Sequence, residues 1–332
     1  RNKKYSDIDL GPRKDYENIL LTGATGYVGC YLLREMLKEG KRKITALVRG
    51  TDHAASRDRL HQVLAHYFGP KTGEELAYHP RLQVLSSDLS QPSLGLSQDQ
   101  WTWLATRTQA IFHCAANVKH YGHYQEFHRD NINSVQNLLE LAAYNLDAPM
   151  DFHLVSTTSV VGKPPESGFK LFTEYDLPNP DLSDNYYIRT KQEAERLVLD
   201  ARGKLSNASI YRVGNVVFAT DDSSLQINLK DNAFFRLVAA LIELGAVPKK
   251  VEALFCHVDL VARAVMLLAE TQALSNETHH IEHSQETSLA EFISTAFPLV
   301  TCDFGMFIDH LLKALDKPEQ QQALYEVLDG FN

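Results

Sequence analysis

From residue 18 onward the chain alternates short apolar runs with longer stretches of helical spacing. Asn18 to Gly23 (NILLTG) ends in glycine and reads as a buried parallel strand. Tyr27 to Glu39 places Val28, Tyr31, Leu32, Met36 and Leu37 on one helical stripe. Lys43 to Arg49 predicts a second strand, and Arg57 to Phe68 a second helix. Leu82 to Ser87, Ala110 to Cys114 and Asp151 to Thr157 read as three more strands, and Ser209 to Val213 as a sixth. Long helical patterns around His123 to Leu146 and Asn185 to Ala201 follow the fourth and fifth strands.

Strands alternating with helices predict βαβ units, and hence an α/β, Rossmann-type, doubly wound parallel sheet with helices on both faces. Right-handed crossovers place ligands at the carboxyl ends of its strands. After about residue 217 the alternation fails. Helical patterns over Asn232 to Leu244, Val258 to Thr271, Ser288 to Ala296, Phe304 to Leu315 and Pro318 to Leu328 predict a smaller, mostly helical substrate subdomain. The expected layout is a linker over 1–17 and a dinucleotide-binding domain over 18–217, with 255–275 packing back onto it. Residues 218–254 and 276–332 form the helical subdomain.

Composition narrows the classes. With 332 residues, 44% hydrophobic and 23% charged, the chain has an ordinary globular make-up. A formal net charge of -9 weakens any case for a general nucleic-acid or anionic-membrane binder. No apolar run approaches the roughly 20 residues of a membrane span, since Ala233 to Val247 is interrupted by Arg236 and Glu243. The four cysteines, Cys30, Cys114, Cys256 and Cys302, form no CxxC pair and read as reduced thiols of a cytoplasmic protein. A start at Arg1 in a polar stretch, with no secretory signal, reads as a piece of something longer. The 14 histidines, including His279, His280 and His283 in a strand-like segment, lack partner spacing for a metal site.

The turn Thr22-Gly23-Ala24-Thr25-Gly26-Tyr27-Val28-Gly29 lies between the first strand and first helix. Glycines at 23, 26 and 29 give GxxGxxG, which suits a tight turn, close approach to a pyrophosphate, and close helix–strand packing. The helix N-terminus adds unpaired N–H groups and a positive dipole end for the phosphates. The second strand ends Val48-Arg49-Gly50 without an acid at its tip, and Arg59 lies just beyond. Arginine there accommodates a 2′-phosphate, which favours NADPH, while Asp52 keeps NAD open. Asp88-Leu89 after the third strand either meets an adenine or is a turn beside Ser90. Ala115-Ala116 after the fourth strand leaves room for a cofactor across the strand end.

Tyr187 and Lys191 stand at i and i+4 on one helix face. Such a lysine lowers a tyrosine pKa and holds a nicotinamide ribose, and the tyrosine then exchanges the proton that accompanies hydride transfer. Ser156-Thr157-Thr158-Ser159, at the end of the fifth strand, offers a second hydrogen-bond donor to the same carbonyl oxygen.

TGATGYVG, the VR strand end, HCAANV, STTSV and YxxxK together resemble an extended short-chain dehydrogenase/reductase. The finer likeness is to the NADPH-dependent thioester reductase domains of nonribosomal peptide synthetases and carboxylic acid reductases. It is carried by LVRG with RDRL, DLSQPSLGLS, HCAANVKHYGHYQEFHRDNINS, YYIRTKQEAERLV, YRVGNVVF and FCHVDLVARAV, and it covers about residues 18 to 285. The resemblance implies that Thr157, Tyr187 and Lys191 are catalytic, with Thr158 the competing hydroxyl and Asn131 supporting the lysine. Val213 and Asn215 join the cofactor-binding positions. Lys119 stands where asparagine is usual, Thr190 replaces a common serine, and Val213 a common proline.

The activity so implied is reductive release of an acyl or peptidyl thioester from a carrier protein's phosphopantetheine arm, giving an aldehyde and then an alcohol if a second hydride follows. The same residues would serve an epimerase, dehydratase or ketoreductase acting on a soluble small molecule. A non-catalytic NADP-sensing protein is the binding-module alternative. The basic residues Lys3, Lys4, Arg13, Lys14, Lys38, Lys41, Arg42 and Lys43 suit either a solvated face, the favoured reading, or an acidic carrier protein.

Overall fold

The computed structural model describes residues 11–38, 40–119, 122–145, 147–162, 171–180, 185–221, 224, 226–229, 232–253, 255–283 and 287–330. Lys3, Lys4 and the expected helix ends Glu39 and Leu146 lie outside the described residues. Strands β1 (Asn18–Thr22), β2 (Lys43–Val48), β3 (Leu82–Ser86), β4 (Ala110–His113), β5 (Asp151–Thr157) and β6 (Asn207–Val213) form the body of one sheet. Short strands follow: β7 (Asn215–Val217), β8 (Ala246–Pro248), β9 (Glu252–Ala253), β10 (Phe255–His257), β11 (Thr278–Ile281), β12 (Thr287–Ser288) and β13 (Val300–Cys302). The main sheet has seven parallel strands in the order β11-β6-β5-β4-β1-β2-β3. The order reverses between β1 and β4, and that switch point is where an open α/β sheet presents its ligand crevice.

Strand β11 corrects the expected subdomain boundary. Thr278–Ile281 falls within the span assigned to the helical part, yet it pairs with Ile210–Val213. It satisfies backbone groups that β6 would otherwise expose at a sheet edge.

The helices are α1 (Tyr27–Lys38), α2 (His53–Phe68), α3 (Pro70–Ala77), α4 (Gln98–Arg107), α5 (Tyr124–Phe127), α6 (Ser134–Ala142), α7 (Tyr186–Asp200), α8 (Ala233–Leu244), α9 (Val258–Glu270), α10 (Leu289–Ser294), α11 (Phe304–Leu315) and α12 (Gln321–Gly330). The expected helix from His123 is divided, with a π-helical turn over His128–Asn133 between α5 and α6. Such turns bulge the backbone and commonly sit at functional sites. Helices α3 and α4 fall where the sequence pattern predicts no element, although Ser97 and Gln100 form a complete capping box at the start of α4.

Two cores sandwich the sheet. On one face α1 and α9 bury Tyr31, Leu32, Met36, Val261, Val265 and Met266 against Leu21, Phe112 and Tyr211. On the other, α4, α6 and α7 cover Leu20, Ile111, Phe152 and Ile210. Burial of each large side chain contributes about 1.5–3 kcal/mol relative to exposure. A third cluster, with Leu241, Leu289, Ile293, Phe307, Leu311 and Leu324, holds α8, α10, α11 and α12 together.

The approaching chain is clipped to the amino end of the sheet. Lys14 Nζ lies 2.7 Å from Asp151, and the Tyr16 hydroxyl donates to the same carboxylate at 2.5 Å. Arg13 and Arg42 pair with Glu270 at 3.8 and 2.6 Å, and Lys38 pairs with Glu35 at 2.7 Å. These four basic residues are therefore held within the chain's own ion pairs, at the opposite end of the sheet from the crevice. Among the described residues no helix is long and apolar enough to cross a membrane. The four cysteines are free thiols.

Candidate active site

The glycine turn is set by contacts that leave no space for side chains. Gly23 has φ +76°, and a Cβ on it would lie 2.5 Å from the Ala115 nitrogen, so the turn rests on the exit of β4. A Cβ on Gly29 would lie 2.0 Å from the Gly23 carbonyl oxygen, so α1 presses directly on the turn. The Gly26 N–H donates to that same carbonyl at 2.8 Å. Thr25, Gly26 and Val28 keep solvent exposure. Thr22 and Tyr27 do not: the Thr22 hydroxyl is buried 2.7 Å from His113 Nδ1, and the Tyr27 hydroxyl donates to the Val217 carbonyl at 3.1 Å. These two side chains shape the turn from beneath. The residues fit a dinucleotide, because a side-chain-free backbone and the start of a helix are left open toward the crevice.

At the tip of β2, the exposed Arg59 donates from Nη1 to the backbone carbonyl of the likewise exposed Arg49 at 3.1 Å. Asp52 caps α2, its side chain accepting the Ala55 N–H at 2.8 Å. Arg49 Nη2 stands 3.8 Å from Asp130 in the π-helical turn. Asp88 accepts the Ser90 N–H and hydroxyl at 3.1 and 2.8 Å. Burial opposes its ionisation, but the Ser90 bonds with Arg49 and Arg129 nearby outweigh that and lower its pKa. The Leu89 carbonyl accepts from Asn137 at 2.9 Å. Ala115 and Ala116 lie half-buried beside the glycine turn.

Thr157, the last residue of β5, caps the short helical turn Thr158–Val161. Its hydroxyl oxygen accepts the Ser159 N–H at 3.2 Å, and its side chain is hydrogen-bonded to Tyr187. Thr158 is the first residue of that turn. Helix α7 starts at an Asn185 cap, whose side chain accepts the Ile188 N–H at 3.2 Å, and this start sets Tyr187 and Lys191 one turn apart. Burial pushes the Tyr187 hydroxyl up to about 12, only partly offset by the Thr157 bond. The expected lowering by Lys191 is not what the structure gives: Lys191 Nζ donates to the Val155 carbonyl at 2.8 Å. Burial draws Lys191 down to about 8, with Glu195 and Cys114 acting the other way.

Asn131 is buried in the π-helical turn. It donates to the Thr190 hydroxyl at 3.0 Å and the Asn117 carbonyl at 3.2 Å, and it accepts the Asn117 N–H at 2.7 Å. It therefore reaches the residue before Lys191. Val213 is the buried end of β6, level with Thr157 and Ile281, while Asn215 opens β7 with its side chain exposed.

Sequence reasoning missed what lies behind this surface. Glu195 and Arg212 are 0% and 1% exposed, with Arg212 Nη2 2.9 Å from Glu195 Oε2 and Nε 3.2 and 3.1 Å from the two carboxylate oxygens. The Ser156 hydroxyl donates to Glu195 Oε1 at 2.6 Å. The available signal was spacing: Glu195 continues the Tyr187–Lys191 face at i+4. Among the described residues no His, Cys, Asp and Glu group is placed to hold a metal.

A family model for NAD binding, described as "Male sterility protein", matches residues 21–265. The chain belongs to this family. It is an α/β protein of the Rossmann type with a nicotinamide dinucleotide as the cofactor of its class. It is 29% identical over 286 residues to a linear gramicidin synthase of Brevibacillus parabrevis, covering 86% of this chain and 5% of that protein. It is 30% identical over 265 residues to the L-2-aminoadipate reductase large subunit of Candida glabrata, covering 75% of this chain and 19% of that one. The chain thus spans a small part of the curated relatives it matches. Among solved structures, the terminal R domain from the myxalamid PKS-NRPS biosynthetic pathway superposes with a TM-score of 0.81 at 25% identity, over 96% of this chain and 79% of that one.

Proposed function

We propose that this chain is an NADPH-dependent oxidoreductase that releases an acyl or peptidyl thioester from the phosphopantetheine arm of a carrier protein as an aldehyde. The observation that carries this reading is the hydrogen-bonded pair of Thr157 and Tyr187 at the carboxyl end of β5, with Lys191 one turn on. Thr25, Gly26 and the start of α1 would hold the pyrophosphate, and Arg49 with Arg59 the 2′-phosphate that distinguishes NADPH. NADPH bound there supplies hydride to the thioester carbonyl carbon.

Tyr187 and Thr157 donate hydrogen bonds to the carbonyl oxygen as negative charge develops on it. A hydroxyl with its pKa near 12 is protonated at neutral pH, so Tyr187 is poised as the acid. Its proton passes to the oxyanion to give a hemithioacetal. As the C–S bond breaks, the hemithioacetal hydroxyl returns its proton to the Tyr187 phenolate, the carbonyl re-forms, and the departing thiolate takes a proton from solvent, leaving the aldehyde. The Lys191 ammonium, oriented by Val155, supplies positive charge beside the nicotinamide ribose. The helical part around α8 and α10 to α12 would receive the acyl chain, and the free thiols suit a cytoplasmic setting.

Incubation with NADPH and acyl-pantetheine thioesters, followed by mass spectrometry, tests the proposal. Aldehyde or alcohol with free pantetheine thiol is the expected product pair. Turnover confined to free ketones or sugar nucleotides would transfer the chain to the small-molecule class.

A further inference from the structure

We infer that Ser156, Glu195 and Arg212 form a positioning assembly that holds the end of β5, helix α7 and the 171–177 segment in one geometry around the reacting carbonyl. The inference rests on the reductase reading of the site, and it concerns residues that touch neither substrate nor cofactor.

Each of the three bonds one wall of the site to another. Ser156 immediately precedes Thr157, and its hydroxyl is tied to Glu195. Glu195 lies one turn beyond Lys191 and two beyond Tyr187 on α7, so the same carboxylate fixes the helix that carries both. Arg212, level with Ser156 across the β5–β6 register, grips Glu195 and reaches outward as well. Its Nη1 donates to the Thr173 carbonyl at 3.2 Å and its Nη2 to the Asp176 carbonyl at 3.1 Å. Phe172 lies against the guanidinium at 4.7 Å and stacks on His280 of β11. The 171–177 segment is thereby fastened by its backbone. Leu171, Tyr175 and Leu177 are left 81%, 85% and 74% exposed.

A buried ion pair is a weak device for stability alone, since apolar residues of similar volume often serve as well. What apolar residues cannot do is orient two carbonyls and a helix carboxylate through one planar, five-donor group, with the strand-end hydroxyl tied to that same carboxylate. Glu195 also bears on Lys191 directly. Of the groups that face Lys191, His113 at the end of β4 and Cys114 just beyond it are held neutral by burial, and Tyr187 keeps its proton. Glu195 is the charged group that favours the ammonium.

Steady-state kinetics on an acyl-pantetheine thioester and on a soluble aldehyde, with NADPH affinity from fluorescence, test the inference in three variants. Ser156→Ala should lower kcat about tenfold on both substrates, as expected for loss of one bond to a charged acceptor, with NADPH affinity within about twofold. Glu195→Gln keeps the shape and should move the alkaline limb of kcat/KM to lower pH. Arg212→Lys should raise KM for the thioester more than it changes kcat. Variants that lose only thermal stability, with kcat, KM and pH profile per folded molecule as in the parent, would overturn the inference. Should Arg212→Lys not fold, the Ser156→Ala and Glu195→Gln results decide alone. A parent protein that reduces the aldehyde but no thioester sinks the thioester reading, while the aldehyde kinetics of the variants still decide the positioning role.

Discussion

Asp52 accepts the Ala55 backbone N–H at 2.8 Å, and that bond commits the first carboxylate after β2 in the chain to capping α2. A cap is worth about 1 kcal/mol to the helix, and it turns the Asp52 side chain toward the first turn of α2. Arg49→Ala and Arg59→Ala should each weaken NADPH binding about tenfold or more and leave NADH binding within about twofold, on the scale of one charge-assisted bond. Asp52→Asn keeps the cap and should leave the NADPH:NADH ratio unchanged. Isothermal titration of both cofactors checks this, and selective loss of NADH binding in Asp52→Asn would return the carboxylate to the ribose.

The Thr157–Tyr187 bond separates two candidate hydroxyls. Tyr187→Phe should cut NADPH oxidation by about 10²-fold or more, on the scale of a lost general acid, without altering NADPH affinity. Thr157→Val should cost about 10²-fold in kcat, as for removal of one oxyanion donor. Thr158→Val should stay within about threefold of the parent enzyme. A ranking in which Thr158→Val is the more damaged would exchange their roles.

Lys191 should give the proposed activity an alkaline limit. Its folded pKa of about 8 lies below the ordinary lysine value, so the free enzyme loses the ammonium as pH passes 8. The kcat/KM for NADPH should therefore fall above about pH 8, because that ratio reports the free enzyme. Stability runs the other way. Between the folded value and the ordinary 10.5, the unfolded chain binds the extra proton, so this residue's contribution to stability rises with pH over that interval. Lys191→Met should remove both trends, seen in pH–rate profiles and denaturant titrations.

His113 and His153 set an acid limit of another kind. Burial draws both down to about 3, so they stay neutral while the unfolded chain takes up protons below 6.5. Each group loses about 1.4 kcal/mol of stability per pH unit across that interval. Midpoints of urea unfolding should fall steadily from pH 6.5 toward pH 4. A flat profile there would mean that these imidazoles become charged without leaving the fold.

Two glycines make a paired test of the turn. Gly29→Ala forces a methyl to within 2.0 Å of the Gly23 carbonyl oxygen and should cost about 1–3 kcal/mol or more, with NADPH binding lost. Gly305→Ala, near the start of α11 with no atom within 4 Å of the added carbon, should be neutral or gain about 0.5 kcal/mol. Thermal melts with and without NADPH distinguish the two.

Local pattern was sufficient wherever a residue's role depended on its immediate neighbours. The runs NILLT and AIFH became strands within a residue of their expected ends, since burial on both faces selects continuous apolar stretches. Tyr187 and Lys191 were readable because one helix carries both. Roles set by distant segments were not. Glu195 and Arg212 are ordinary surface-type residues in sequence, and only the β5–β6 register and the packing of α7 turn them inward. The π-helical turn was likewise hidden, because its helical spacing is broken by backbone bonding and not by composition. The four basic residues at the amino end found partners in Glu35, Asp151 and Glu270, up to 257 positions away (Arg13 to Glu270).

Arg212 grips the 171–177 segment through the Thr173 and Asp176 carbonyl oxygens, groups that every amino acid carries. Of the segment's side chains only Phe172 packs on the guanidinium in addition, and the exposed ones at 171, 175 and 177 take no part in the grip. Leu171, Tyr175 and Leu177 can therefore be exchanged for other residues while the handhold on the backbone persists. The outer face of the segment can in this way drift under selection or be redesigned by mutagenesis without disturbing the Glu195–Arg212 bonds behind Tyr187.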